Sequence, residues 1–344
     1  MKIKIELKKN DGTVFFEYET EDNTIKKTLE EYIRREKEYG KEIVDLTYAD
    51  LKNVELSHAD LSYVDLTNAD LRDANLKDTD LSNANLRFAK LENADLNCAD
   101  LSNANLRFAK LENADLSSAN LLDADLVGAN LSNAKLINAN LFSSNLKLTN
   151  LSYANLMGAN LNKACIVNTI LNFVELISAD LKNADLSNAD LSDANLRNSD
   201  LSDAVLMGAN LMYADLTYAN LSGANLSNAC LNNADLSNAD LKGANLSNAY
   251  FSNAILISVR NIQYASCYFM GHGECGRQLI AIKINNETML FCGCFKGNEA
   301  KLRKYIKEGD KNYKKSRLIA LETVLKLIKV EKKLNIEKKR RFFW

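Results

Sequence analysis

Six aspartates recur at multiples of twenty residues, Asp60, Asp80, Asp100, Asp180, Asp200 and Asp240, with Asn120, Asn140, Asn160 and Asn220 holding the same register between them. Carboxylates stacked about 5 Å apart repel and are expected to raise one another's pKa, so the ladder has a cost unless something uses it. Asp and Asn also hydrogen-bond local backbone at turns, which gives the column a purely structural alternative. A second set is doubled: Arg87-Phe88-Ala89-Lys90 returns as Arg107-Phe108-Ala109-Lys110, and Tyr153 and Phe173 form another pair twenty apart. Exposed Arg and aromatic clusters suit partner binding, and aromatic stacking between neighbouring strands is the structural alternative. A third set, Cys267, His272, Cys275, Cys292 and Cys294, carries the thiolate and imidazole donors that zinc takes. Its Cys-Gly-Cys spacing is not a C-x-x-C pair, and Cys also packs as a small hydrophobe, so neither a metal nor any other cofactor is assigned. The two histidines, His58 and His272, have no nucleophile partner in the sequence. Catalysis needs convergent polar groups in a cleft, so the chain reads as a non-enzyme.

What positions these side chains is a repeat. From Leu46 to Leu256 every fifth residue is large and apolar, 43 positions of which Ile166 and Phe251 alone are not Leu. Two residues before each stands a small one, usually Ala, with Val44, Val54, Val64, Thr79, Ser144, Thr149, Thr169, Val174 and Ser199 as exceptions. A period of five matches neither the 3.6 of a helix nor the 2 of a strand. If each pentad forms one side of a square coil, the Leu and the small residue point inward and the other three face solvent. The turn of twenty residues has independent support, because LSNANLRFAKLENADL at 81–96 recurs unchanged at 101–116, a duplication that preserves stacking. Leu alternates with Ala because a narrow tube filled from four sides has no room for Leu at both positions. Between ten and eleven coils at roughly 4.8 Å each make a rod on the order of 50 Å long.

These residues closely resemble the pentapeptide-repeat family, over about 210 of the 344 residues. The resemblance implies a right-handed quadrilateral β-helix; handedness and turn type come from it and not from the periodicity. It also implies a binding role, since some members imitate B-form DNA and bind type II topoisomerases, inhibiting them or protecting them from drugs. The drug-protecting members carry loops between coils, and this sequence has none, so no residue here inherits that contact.

The ends depart from the repeat, as open coil stacks require. Residues 1–40 read as a hairpin around Asn10-Asp11-Gly12 and a helix capped by Asn23 and stopped by Gly40. Residues 41–260 are the solenoid. Residues 261–344 read as an α+β cap with a hairpin around Asn285-Asn286, helices near 298–307 and 310–333, and a basic tail ending in Phe342-Phe343-Trp344. This segment and the N-terminal one resemble those of phage and prophage members.

Charge is segregated: residues 41–260 carry net -12, and 261–344 carry +11. Within the rod, 41–130 stand at -9, 131–170 at +3 and 171–240 at -8, so two acidic zones flank a basic waist. One charge per roughly 4 Å is sparser than the one per roughly 1.7 Å of duplex DNA. An acidic rod is not expected to bind nucleic acid directly. The expected partner is a protein, with DNA gyrase or another topoisomerase foremost. Asp60, Asp80, Asp100, Asp180, Asp200, Asp240, Arg87, Phe88, Arg107 and Phe108 are the candidate contacts. The alternative is an assembly scaffold that dimerises through the basic C-terminal cap. No apolar run reaches the length of a membrane span, no signal peptide opens the chain, and seven cysteines fit a reducing compartment, so a cytoplasmic location is expected.

Overall fold

The computed structural model describes residues 2–251, 254, 255 and 259, and the backbone of 279–284, 287–292 and 295–297. Parallel bridges link each residue before a Leu to the residue twenty further on, from Asp50 with Asp70 through Asp235 with Ile255, so one coil is twenty residues. The first rung is long enough to count as two short paired strands, β3 (Val44–Asp45) and β4 (Val64–Asp65). The four sides of the right-handed coil begin at 44–48, 49–53, 54–58 and 59–63 and repeat every twenty residues.

The pentad 99–103 shows why the repeat takes its form. Five backbone N–H groups must find acceptors. Ala99 N donates to Leu96 O across a turn (3.0 Å), and Asp100 N to Thr79 O of the preceding coil (2.9 Å). Leu101 N and Asn103 N donate to Asn120 O (2.7 Å) and Leu122 O (2.8 Å) of the following coil. Only the Ser102 N–H is left, and the Asp100 carboxylate takes it at 2.9 Å. Where Asp or Asn precedes the Leu, its side chain is therefore the fifth acceptor of the pentad.

The corner is set by the same pentad. Leu101 O accepts from Ala104 N, and Asn103 between them has φ 57° while Ser102 stays negative, the signature of a type II turn. Asn, Asp and Gly tolerate that left-handed conformation best, which accounts for their frequency two residues after each Leu. Inside, Leu and Ala are buried from Leu46 to Ala249. Where Thr or Ser replaces Ala, its hydroxyl donates to a backbone carbonyl, as from Thr79 to Leu56 O (2.9 Å) and Ser199 to Leu196 O (2.6 Å). The core thus carries these polar exceptions without an orphaned group.

At the N-terminus β1 (Lys2–Lys8) and β2 (Val14–Glu21) pair antiparallel with a bulge at Leu7/Lys8, around the Asn10-Asp11-Gly12 turn. Helix α1 (Ile25–Glu38) follows. Its N-cap is Thr24 and not Asn23: Thr24 Oγ1 accepts from Lys27 N. Asn23 is drawn away because its amide donates to Ile3 O and Tyr18 O, tying the hairpin to the helix. The hairpin completes the first coil, since Asp50 N, whose counterparts donate to a preceding coil, donates to Lys8 O at 2.8 Å. Leu7, Leu29 and Ile33 join the same core as Val44 and Leu46.

Towards the C-terminus β5 (Leu279–Ile284) and β6 (Glu287–Cys292) pair as the hairpin expected around Asn285-Asn286. A third strand, β7 (Phe295–Gly297), extends the sheet beyond that expectation. The helices expected after 298 lie outside the described residues. Among the described residues no helix is long and apolar enough to cross a membrane.

Candidate functional site

The aspartate column lies in line on the fourth side, each member bridged to the next. In Asp60, Asp80, Asp100, Asp180, Asp200 and Asp240 one carboxylate oxygen accepts the N–H two residues on, at 2.9–3.0 Å. The column is thereby held rigid by its own turns. Asparagines knit it lengthwise: Asn120 donates to Asp100, Asn140 to Asn120 and Asn160 to Asn140, each at 3.0 Å, and Asn220 to Asp200 at 2.9 Å. This amide ladder was not foreseen from the sequence, although the unbroken Asn run at twenty-residue spacing is its signal.

The expected mutual elevation of pKa is corrected at Asp60. Burial pushes its carboxyl up, but hydrogen bonds from the Ser62 hydroxyl and N–H and the nearby Lys37 ammonium (3.7 Å) outweigh that and leave it below the ordinary value. On the second side Asp70 is buried and paired with Arg72 at 2.5 Å, and this hydrogen bond holds its carboxyl low against burial.

Phe88 and Phe108 stack with centroids 5.3 Å apart and planes within 12°. The Arg87 guanidinium lies 4.9 Å from the Phe88 centroid and that of Arg107 lies 5.6 Å from Phe108, while Arg107 also pairs with Asp125 at 3.1 Å. The rings stack, as the structural alternative has it, and remain about two-fifths exposed, at 41% and 40%. The stack ends at Gly128, where a Cβ would come within 2.6 Å of the Phe108 ring. Tyr153 and Phe173 stack more closely, at 4.9 Å and 1°, and are also exposed. Leu148 and Ile170, in outward positions of the same coils, are also exposed. Neither was singled out from the sequence; Ile170 stands in a column otherwise mostly of Asp, Asn and Lys, and Leu148 continues the column of Phe88 and Phe108.

His58 is exposed, with Nδ1 3.8 Å from Asp78. Cys98, Cys165 and Cys230 are free thiols. Cys267, His272, Cys275 and Cys294, and the side chain of Cys292, lie outside the described residues. Among the described residues no group of three or more His, Cys, Asp or Glu could hold a metal ion. A shallow cleft between β2 and α1 is lined by Tyr18, Thr20, Glu31 and Arg34, but Glu31 there is already bound by Arg34 and Arg35.

A closed stack of identical coils with its polar groups spent on its own turns defines a solenoid repeat protein, one that presents rigid columns to its surroundings. Eight copies of the pentapeptide repeats model match between residues 44 and 257, and the chain belongs to that family. HetL, a pentapeptide repeat protein involved in heterocyst differentiation regulation from the cyanobacterium Nostoc sp. strain PCC 7120, is 34% identical over 66% of this chain and 92% of its own, with a TM-score of 0.31. QnrB1, a plasmid-mediated fluoroquinolone resistance protein, is 18% identical over 53% of this chain and 91% of its own (TM-score 0.38). A pentapeptide repeat protein of the Arabidopsis thaliana thylakoid lumen is 30% identical over 33% of this chain and 69% of its own (TM-score 0.18). No curated protein matches the chain.

Proposed function

We propose that the chain is a non-enzymatic binding rod whose acidic fourth side engages a protein partner, a DNA-binding enzyme such as DNA gyrase foremost. The observation that carries this is the rigidity of the aspartate column, each carboxylate fixed by its own turn N–H at one-coil spacing. Charges already fixed lose little conformational freedom on binding, so their attraction to a basic groove is not spent on ordering them. At one net charge per roughly 4 Å the rod competes with DNA by position more than by density, and its binding weakens with salt.

The test is a supercoiling assay with purified gyrase and relaxed plasmid at two salt concentrations, with and without a quinolone. Inhibition or drug protection at micromolar protein, lost in the D60N/D80N/D100N triple variant, is the expected result. No effect of the wild-type chain at either salt concentration sinks the gyrase reading and leaves the scaffold reading, with residues 261–344 as its dimerising cap.

A further inference from the structure

The second side of the rod changes character halfway along. Its pentads at 129–133, 149–153 and 169–173 contain no charged residue, and residues 131–170 contain no carboxylate on any side. At this level four large apolar side chains are exposed on the second side or its corners: Leu148 (60%), Tyr153 (57%), Ile170 (45%) and Phe173 (45%). Four exposed large apolar side chains gathered within two coils of one side, two of them stacked, mark an interaction site.

The charges around it are arranged with opposite sign about one level, the coil of Asn150, Tyr153 and Asn155. In the column that precedes Leu on the second side, Lys110 lies two coils before that level and Asp190 two coils after it. In the same column of the third side, Lys135 lies one coil before and Glu175 one coil after. An antiparallel two-fold through this level sets each column against itself reversed, because both rods have the same coil spacing. Lys110 of one copy then meets Asp190 of the other, Lys135 meets Glu175 at the rim, and Tyr153 meets its own copy at the centre. Like charges approach only on neighbouring sides, at Lys147 with its copy and at Asp95 with Asp215. Lys110 has no ion-pair partner among the described residues, so it is available for the contact.

We propose that this surface binds a second copy of the chain, forming an antiparallel dimer through the second side that is independent of both the acidic fourth side and the C-terminal segment. The contact is isologous and closes at two copies.

Consensus substitutions test it without risk to the coil. Y153N and F173N place Asn in a left-handed turn position that Asn occupies throughout the rod, and I170N supplies the acceptor that position otherwise lacks. Sedimentation velocity on the full chain at rising micromolar concentration is expected to show a dimer, weakened at least about tenfold in the triple variant. K110D is expected to weaken it through repulsion from Asp190, and K110D/D190N to recover part of the loss. Asn at 190 keeps an oxygen for Ser192 N. A wild-type chain that stays monomeric overturns the proposal, and so does a dimer that the triple variant leaves unchanged, as one built by residues 261–344 would be.

Discussion

Asp100 separates what the coil needs from what a partner reads. Its Oδ1 accepts from Ser102 N at 2.9 Å and from Asn120 Nδ2 at 3.0 Å, one bond inside the turn and one to the next coil. Asp100→Ala leaves a partly buried N–H and an amide without their acceptor. An orphaned donor of this kind costs about 1–3 kcal/mol, so the Ala variant is expected to lose about 2–3 kcal/mol. Asp100→Asn keeps the oxygen and gains an amide that can donate to Asp80, as Asn120 does to Asp100. It is expected to fall within about 0.5 kcal/mol of wild type, on the stabilising side. Urea unfolding of both variants measures the difference as a shift in midpoint at constant slope. Equal losses in D100A and D100N would show that the charge and not the acceptor holds the turn, and would remove the basis for reading the pentad as a closed set of five hydrogen bonds.

Two further outcomes follow from the same geometry. Ala94→Leu is expected to overpack one coil at a cost of about 1–3 kcal/mol, whereas Asn93→Gly on the adjoining corner costs less, since φ 60° there suits Gly; similar shifts in thermal midpoint would contradict the inward and outward assignment. Hydrogen bonding from Arg34, joined by Arg35, outweighs burial and holds the Glu31 carboxyl down to about 2, so its contribution to α1 is present above the usual carboxylate pKa of 4.5 and lost as pH falls from there towards 2. Protection of the α1 amides, corrected for the intrinsic pH dependence of exchange, should fall across that range in the wild-type chain and change less in E31Q.

The coil was legible because its cause is local and repeated: a Leu every five residues and a small residue two before it decide burial, and a verbatim duplication decides the length of the turn. The Asn23 cap was misread because its competing acceptors, Ile3 O twenty residues away and Tyr18 O, come to it only once the hairpin is folded. Likewise the carboxylate column was expected to strain itself, since charge spacing shows in a sequence and the Ser62 donors at Asp60 show only once the turn is folded. That Asn93 faces outward follows from the repeat, but its backbone conformation does not. Its left-handed backbone makes Ala there a strained choice and Gly the proper control.

The backbone accounting also says where functional information can reside. Where Asp or Asn stands before a Leu, its side-chain oxygen accepts the N–H two residues on in either case, as Ser102 N on Asp100 and Ser132 N on Asn130 show. The fold is therefore indifferent to which of the two stands there, and the choice between them is open to selection by partners. On the fourth side that choice is Asp at 60, 80 and 100, Asn at 120, 140 and 160, and Asp again at 180 and 200. The amide run coincides with the level at which the second side loses its charges and gains Leu148, Tyr153, Ile170 and Phe173. Two unrelated columns change at one level although the coil demands it of neither. The change is then a property of the surface: on the fourth side carboxylates stand towards both ends of the rod, where the proposed partner would bind, and on the second side the uncharged middle is where a second rod would lie.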